Sequence, residues 1–117
     1  MLKHFTWSEI EIETVSPQVE RQHVVVENAA LARMSMKKGW VVPLHSHVSE
    51  QITCVEKGVL EFTIDNRKIV VAAGEILCIP PNMPHEAQAL EDTVIFDIFS
   101  PPRADWINKT DTYLRKN

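Results

Sequence analysis

The chain has 117 residues, 44% of them hydrophobic, and 12 Lys and Arg against 16 Asp and Glu leave a net charge of −4. This length predicts one domain, residues 1–117, with enough apolar side chains for a core. An acidic balance without a basic run argues against a nucleic acid or an anionic membrane as partner. No apolar run approaches the ~18 residues that span a bilayer. The acidic, amphipathic start is unlike a signal peptide, so we expect a cytoplasmic protein.

Strand-like segments follow one another along the chain, separated by turn residues. The predicted strands are residues 23–28, 30–36, 51–56, 59–64, 68–72, 75–79, 86–90 and 93–99. Lys57-Gly58 and Asp65-Asn66 have the composition of tight hairpin turns, because Gly, Asn and Asp tolerate positive φ. The 8–12-residue spacing predicts an all-β sandwich or closed antiparallel barrel. Residues 104–117 are expected to hold a short helical turn at most.

Two histidines stand one residue apart in the segment GWVVPLHSHVSEQ, residues 39–51. On an extended chain, side chains at i and i+2 face the same side, so His45 and His47 point into one space. Gln51 shares their parity if the strand continues or turns gently. A bulge at residues 48–49 would instead bring Glu50 to the same place. The pattern therefore predicts a cluster of ligands on one face.

His85 is the candidate that would complete this cluster from another strand. It follows the stiff segment Pro80-Pro81-Asn82-Met83-Pro84, which can hold a ring in place. Imidazoles with one neutral oxygen ligand suit a borderline divalent transition metal, and Zn, Ni, Fe, Mn and Co all fit. His4 and His23 lack a partner ligand nearby and are interpreted as ordinary surface or core histidines.

Glycines flank the histidines at fixed distances. The spacings are Gly39-x5-His45-x-His47-x3-Gln51-x6-Gly58 and Gly74-x5-Pro80-x-Asn82-x2-His85. This double motif resembles that of the cupin superfamily, whose fold is a small antiparallel jelly-roll β-barrel, and the resemblance covers about residues 30–100. Many cupins have Glu where Gln51 stands, so the metal sphere has one negative charge fewer, which disfavours dioxygenase and oxidase chemistry. Many have Gly where Asn82 stands, and Asn is tolerated at a left-handed position.

A narrower resemblance lies further along the chain. The segments FDIFSPPRADW, residues 96–106, and DTYLR, residues 111–115, are similar to those of the pectin-degradation branch of small cupins. That branch converts 4,5-unsaturated uronates, released by pectin or alginate lyases, to open-chain 5-keto uronates. The resemblance implies that a metal is held by His45, His47, Gln51 and His85. It also implies that the substrate, a small sugar acid, is lined by Asp97, Phe99 and Arg103.

The residues alone can be matched to this chemistry. Ring opening needs a Lewis acid, a group that moves protons and a cation for the carboxylate. Asp97 and Phe99 share strand parity, so both can face the interior, and Asp97 could move the proton. Arg103 could fork onto the carboxylate. The competing interpretations are a solvated strand-end carboxylate for Asp97 and a surface or dimer salt bridge for Arg103.

Three functions stay open at this point: a metal-dependent isomerase of unsaturated uronates, another metal-cupin enzyme such as a dioxygenase or sugar isomerase, and a non-catalytic sugar-binding cupin. A homodimer is expected, since an acidic amphipathic N-terminal strand could add to a partner's sheet edge. Cys54 and Cys78 lie in apolar runs and are expected as buried, reduced thiols. The residues interpreted as core, mouth or subunit packing are Met34, Met36, Trp7, Trp40, Trp106 and Tyr113.

Overall fold

The computed structural model describes residues 2–115; Met1, Lys116 and Asn117, part of the predicted domain and tail, lie outside the described residues. A 3₁₀ turn, Trp7–Glu9, precedes the strands, and one short helix, α1 (Ala104–Ile107), follows them. The strands are β1 (Glu13–Ser16), β2 (Val19–Val25), β3 (Ala30–Met36), β4 (Val41–His45), β5 (Glu50–Lys57), β6 (Val59–Ile64), β7 (Arg67–Ala72), β8 (Ile76–Ile79), β9 (His85–Ala89) and β10 (Thr93–Ser100).

The strands form two antiparallel sheets. One has six strands in the order β1-β2-β3-β10-β5-β8, and the other has four in the order β4-β9-β6-β7. This is the jelly-roll arrangement predicted from the sequence, and the all-β fold class is confirmed. The ladders between the described strands leave two separate sheets, so the closed-barrel form of the prediction is corrected to two layers around a core. Among residues 2–115, no helix is long and apolar enough to cross a membrane.

Alternation along each strand builds the core. In β3, burial alternates from Ala30 to Met36, so that Met34 and Met36, each 3% exposed, face inward as the sequence indicated. β10 alternates in the same way and brings Ile95, Asp97 and Phe99 to the interior. The space between the sheets is therefore filled by one apolar cluster, and the buried polar side chains Gln51, His85 and Asp97 adjoin it.

The predicted turns are present, but one strand is displaced. Asp65 and Asn66 have φ of 54° and 59°, as a tight hairpin between β6 and β7 requires. A Cβ on Gly58, whose φ is +86°, would lie 2.4 Å from the carbonyl oxygen of Asp92. The second strand is residues 19–25 and not 23–28, because the β-branched run continues into a turn closed by Val26 N–H donating to Ala29 O (2.9 Å).

The outer face of the six-stranded sheet corrects one further expectation, that of buried cysteines. Cys54 is half-buried and Cys78 is exposed; both are free, and Cys78 is not the buried thiol expected from its apolar run. The reason is parity, since Cys78 pairs with Ile52 on the face opposite the core. The N-terminal strand begins only at Glu13 and pairs with β2 of its own chain. Ahead of it, the Trp7 ring packs against Phe96, with centroids 5.9 Å apart.

The C-terminal segment, residues 104–115, is attached by a buried ion network. Arg21 on β2 donates to Asp111 Oδ2 (3.0 Å) and to Glu13 Oε1 (2.6 Å). Arg115 donates to the same two carboxylates, from Nε to Asp111 Oδ1 at 2.7 Å and from Nη2 to Glu13 Oε2 at 2.5 Å. The Arg21 guanidinium also lies 3.9 Å from the ring centre of Trp106. These contacts hold the tail over one end of the core.

Candidate metal centre and active site

Three histidines meet where β4 and β9 pair. His45 ends β4 and lies opposite His85, the first residue of β9, with ring centroids 4.3 Å apart. His47 follows in a loop, 5.5 Å from His45 and 5.1 Å from His85 between centroids. One ring nitrogen from each lies within 4.8 Å of the others. Among residues 2–115, these three histidines form the one group of side chains that could hold a metal ion. His4 and His23 lie outside this group.

The chain between His47 and Gln51 does not run as one strand. It turns through residues 46–49, and β5 resumes at Glu50. Gln51 is nevertheless buried, 6% exposed, and its Oε1 lies 3.0 Å from His47 Nε2. Glu50 is exposed, so the bulge that would have exchanged the two side chains does not occur.

Backbone carbonyls fix the orientation of all three rings. Each Nδ1 lies 2.8–2.9 Å from the carbonyl oxygen of a residue two positions away, namely Pro43, Ser49 and Met83. A carbonyl only accepts, so each Nδ1 carries the proton and each Nε2 presents a lone pair. Second-sphere contacts of this kind are typical of metal-binding histidines.

Burial keeps these rings neutral. It lowers the pKa of His45 to about 4, with a further contribution from the neighbouring His85. The pKa of His47 is also lowered to about 4, by burial and by the charge of Arg103, and that of His85 is lowered for the same reasons. At neutral pH the three imidazoles are therefore unprotonated at Nε2 and available as ligands.

Gln51 supplies a neutral oxygen to this cluster. Its Nε2 donates to Thr53 Oγ1 at 2.9 Å and to Asp97 Oδ1 at 3.4 Å, so its Oε1 is the atom that faces His47. Two lone-pair atoms, Gln51 Oε1 and His47 Nε2, thus face each other at 3.0 Å. A cation between them converts this repulsion into coordination. The donor set of three imidazole nitrogens and one amide oxygen fits a divalent metal.

Asp97 lies inside the core and not at a solvated strand end. It is 3% exposed on β10 and pairs across the sheet with Thr53 of β5. Burial raises the pKa of Asp97 to about 6, although the hydrogen bond from Thr53 and the charge of Arg103 oppose the increase. A carboxyl group with such a pKa can exchange protons near neutral pH.

Arg103 is buried, 5% exposed, and its salt bridge lies within the chain. Its Nε and Nη2 donate to Asp105 Oδ1 (2.8 Å) and Oδ2 (2.6 Å), and Nη2 also donates to the Tyr113 hydroxyl. One forked face of the guanidinium is thus already occupied by Asp105. The Cζ atom of the guanidinium lies 5.3 Å from the ring centre of Phe99. Arg103 and Phe99 line one cavity.

One cavity unites these groups. Its polar lining consists of His45, Gln51, His85, Asp97, Arg103 and Tyr113. Phe99 and Trp106 line it with apolar surface. Tyr113 was interpreted from the sequence as packing, yet its ring lies 4.7 Å from that of His45. The resemblance included Tyr113 in the segment at residues 111–115 but assigned it no role in the site. Thr53, which contacts Gln51 and Asp97, could have been found from its strand parity with Gln51.

Comparison with known proteins agrees with this geometry. A family model for the cupin domain matches residues 32–99, more than half of the chain. The chain therefore belongs to the cupin family, and the prediction from the glycine and histidine spacing is confirmed.

Individual proteins similar to this chain indicate which group of cupins it resembles. The pectin degradation protein KdgF of Dickeya dadantii (strain 3937) is 26% identical over 110 residues, which cover 92% of this chain and 100% of that protein. The structure of KdgF from Halomonas sp. superposes with a TM-score of 0.84 at 27% identity, over 91% of this chain and 99% of that one. An RmlC-like cupin from Shewanella frigidimarina gives a TM-score of 0.82 at 27% identity, over 90% and 96%. The chain is thus a KdgF-like cupin over nearly its whole length.

Proposed function

We propose that this protein is a metal-dependent isomerase that opens 4,5-unsaturated uronates to 5-keto uronates, as part of the breakdown of pectin or alginate. The observation that carries the proposal is the single cavity in which potential metal ligands, the buried Asp97 and the cationic Arg103 meet. The similarity to KdgF proteins supports the same substrate class.

The reaction moves one proton and breaks one bond. The hydroxyl at C1 loses its proton, the C1–ring-oxygen bond breaks, and C1 becomes an aldehyde. The ring oxygen leaves as an enolate, and protonation at C4 gives the 5-ketone, so no oxidant or reductant is needed. A bound divalent metal would supply Lewis-acid stabilisation of negative charge on oxygen. Asp97 is the group of this chain that takes and returns the proton, a role typically worth about 10²–10⁴ in rate.

Arg103 would bind the substrate carboxylate. Asp105 occupies the Nε side of its guanidinium, while no residue among 2–115 accepts a hydrogen bond from Nη1. The N–H groups of Nη1 are therefore available to a ligand in the cavity. Asp105 holds the planar group in one orientation, so a substrate carboxylate meets a positioned cation.

The test is a kinetic assay with the metal-loaded protein and an unsaturated monouronate, following loss of absorbance of the conjugated double bond. Asp97→Asn should lower kcat by about 10²–10⁴. Arg103→Ala should mainly raise KM, because it removes binding of a group that does not react. Two variants at exposed positions serve as matched controls, Asp65→Asn and Arg67→Ala, and should behave as wild type.

The outcomes separate the alternatives. Normal turnover by both site variants would disprove the assigned roles. A wild-type protein without turnover under any divalent metal, but with measurable binding of the uronate, would instead indicate a sugar-binding cupin. Absence of both would leave a different metal-cupin enzyme, such as a dioxygenase or another sugar isomerase. We also propose the cytoplasm as the location of the protein.

We also propose that the protein forms a homodimer through the outer face of the six-stranded sheet. One row of paired, uncharged residues crosses that face: Val24, Leu31, Ile98, Ile52 and Cys78. Five strands about 4.8 Å apart make this row roughly 20 Å long. A standard interface buries about 800 Å² per partner, so the row would be the apolar centre of a wider contact with a polar rim.

Light scattering tests the dimer directly. Ile98→Glu places a charge in the middle of the row and should give a monomer, while Val70→Glu on the other sheet should leave the mass unchanged. Both side chains are exposed in the single chain, at 40% and 53%, so neither substitution disturbs the core. A monomeric wild type at high concentration, or a dimer of the Ile98 variant, would overturn the proposal.

A further inference from the structure

The geometry points to Thr53 as a positioning residue that fixes the amide of Gln51 and the carboxylate of Asp97 through one hydroxyl group. The inference concerns the site of the proposed function, but only its kinetic arm depends on that function. Thr53 is completely buried, 0% exposed, and contacts neither solvent nor the three imidazoles by hydrogen bonding. Its hydroxyl group contacts a candidate metal ligand, Gln51, and the candidate proton-transfer group, Asp97.

The hydrogen bonds of Thr53 have only one consistent direction. Gln51 Nε2 can only donate, and it lies 2.9 Å from Thr53 Oγ1, which must accept. The Thr53 hydroxyl then donates its one hydrogen bond to Asp97 Oδ1, with 2.5 Å between the two oxygens. A carboxylate oxygen accepts, so each group in this row of three has one role.

This direction determines which atom of Gln51 faces the histidines. With Nε2 committed to Thr53, the amide presents Oε1 to His47 Nε2. Rotation of the amide by 180° would put its NH₂ against that lone pair instead. A hydrogen bond would then form in the metal position, and the oxygen ligand would be lost. Thr53 therefore favours the amide orientation that can bind a cation.

The same hydroxyl explains why an amide, and not a carboxylate, suits position 51. A Glu there would have no N–H to donate to Thr53, whose single proton could serve only one of two buried carboxylates. Gln51 Nε2 and Asp97 Oδ1 are 3.4 Å apart, so a carboxylate in its place would face Asp97 with like charge. The pair of Thr53 and Asp97 thus selects Gln at the neighbouring strand position.

Sequence position makes this arrangement a property of the sheet. Gln51 and Thr53 are two residues apart on β5 and share its inward face. On β10, Asp97 is the register partner of Thr53, and Phe99 that of Gln51. Two paired strands consequently hold all three polar groups, and no mobile loop is involved in their spacing.

Titration with Co²⁺ tests the inference, because its d–d absorption reports both affinity and ligand geometry. Thr53→Val keeps the shape but removes the hydroxyl, and should weaken Co²⁺ binding by about 10-fold or more and change the spectrum. Thr53→Ser should restore both. Thr63→Val, a matched substitution on β6, should have no effect. In the kinetic assay, Thr53→Val should lower kcat and Thr53→Ser should recover it.

A double-mutant cycle separates positioning from general destabilisation. If Thr53 acts through Gln51, then Thr53→Val should not weaken Co²⁺ binding further in a Gln51→Ala background. An equal loss in both backgrounds, or unchanged Co²⁺ affinity for Thr53→Val alone, would overturn the inference. If Thr53→Val does not fold, Thr53→Ala enters the same cycle with the same two criteria. None of these readouts depends on uronate turnover, so failure of the proposed function would be recognised separately.

Discussion

Replacement of Asp111 by Asn should destabilise the protein strongly, although residue 111 touches neither the cavity nor its ligands. Asp111 and its partner Arg21 both have side chains that are 0% exposed, with 3.0 Å between Nη1 and Oδ2. Removal of one charge from a buried pair typically costs about 3–5 kcal/mol, because the other charge stays buried. Glu13 remains paired with Arg21 at 2.6 Å, so we expect the lower end, about 3 kcal/mol.

Thermal unfolding measures this effect. An unfolding entropy of about 2.1 cal/mol/K per residue gives roughly 0.25 kcal/mol/K for a chain of 117 residues, so the Tm should fall by about 12 °C. The control is Glu61→Gln, which removes an ion pair to Lys68, a side chain that is 70% exposed. That pair should contribute less than about 1 kcal/mol. A Tm for Asp111→Asn within about 2 °C of wild type would refute the assignment of the network as a structural anchor.

Three further predictions concern metal, backbone and pH. His47→Ala should strongly reduce metal content measured by elemental analysis, while His23→Ala, outside the cluster, should leave it unchanged. Gly58→Ala should lower the Tm, because its Cβ would lie 2.4 Å from a backbone oxygen at a φ of +86°. Burial alone would raise the pKa of Glu13, but hydrogen bonds from Arg115 and Arg21 lower it below its usual value of 4.5. Its ion pairing therefore stabilises the fold above that pH and is lost as the pH falls through the folded-state pKa; Glu13→Gln should make acid unfolding less steep.

Local patterns predicted the parts of the fold that local chemistry determines. The strands predicted over residues 30–36 and 59–64 are β3 and β6 with their observed bounds, and positive φ at Asp65 and Asn66 confirms the hairpin between β6 and β7. The glycine-anchored spacing located the residues that meet around the histidines. These predictions depend on strand parity and on turn residues, both of which act over a few positions.

The remaining features depend on contacts between distant parts of the chain. Arg21 and Asp111 are 90 positions apart, and neither residue carries a local signal of the other. The same holds for Tyr113, whose place beside His45 follows only from the attachment of the tail. The prediction that Cys78 is buried was wrong for a related reason. An apolar run indicates a strand, but the register across the sheet decides which of its side chains face outward.

The groups around the cavity come from two parts of the chain that are held independently. The ring nitrogens are positioned by β4, β9 and the loop between β4 and β5, whereas Trp106 and Tyr113 belong to a tail attached to β1 and β2 through Glu13 and Arg21. That tail is about a dozen residues long and is secured by its own ion network. Changes within this short segment would therefore alter the shape and charge of the cavity while leaving the three histidines and the carbonyls that orient them in place.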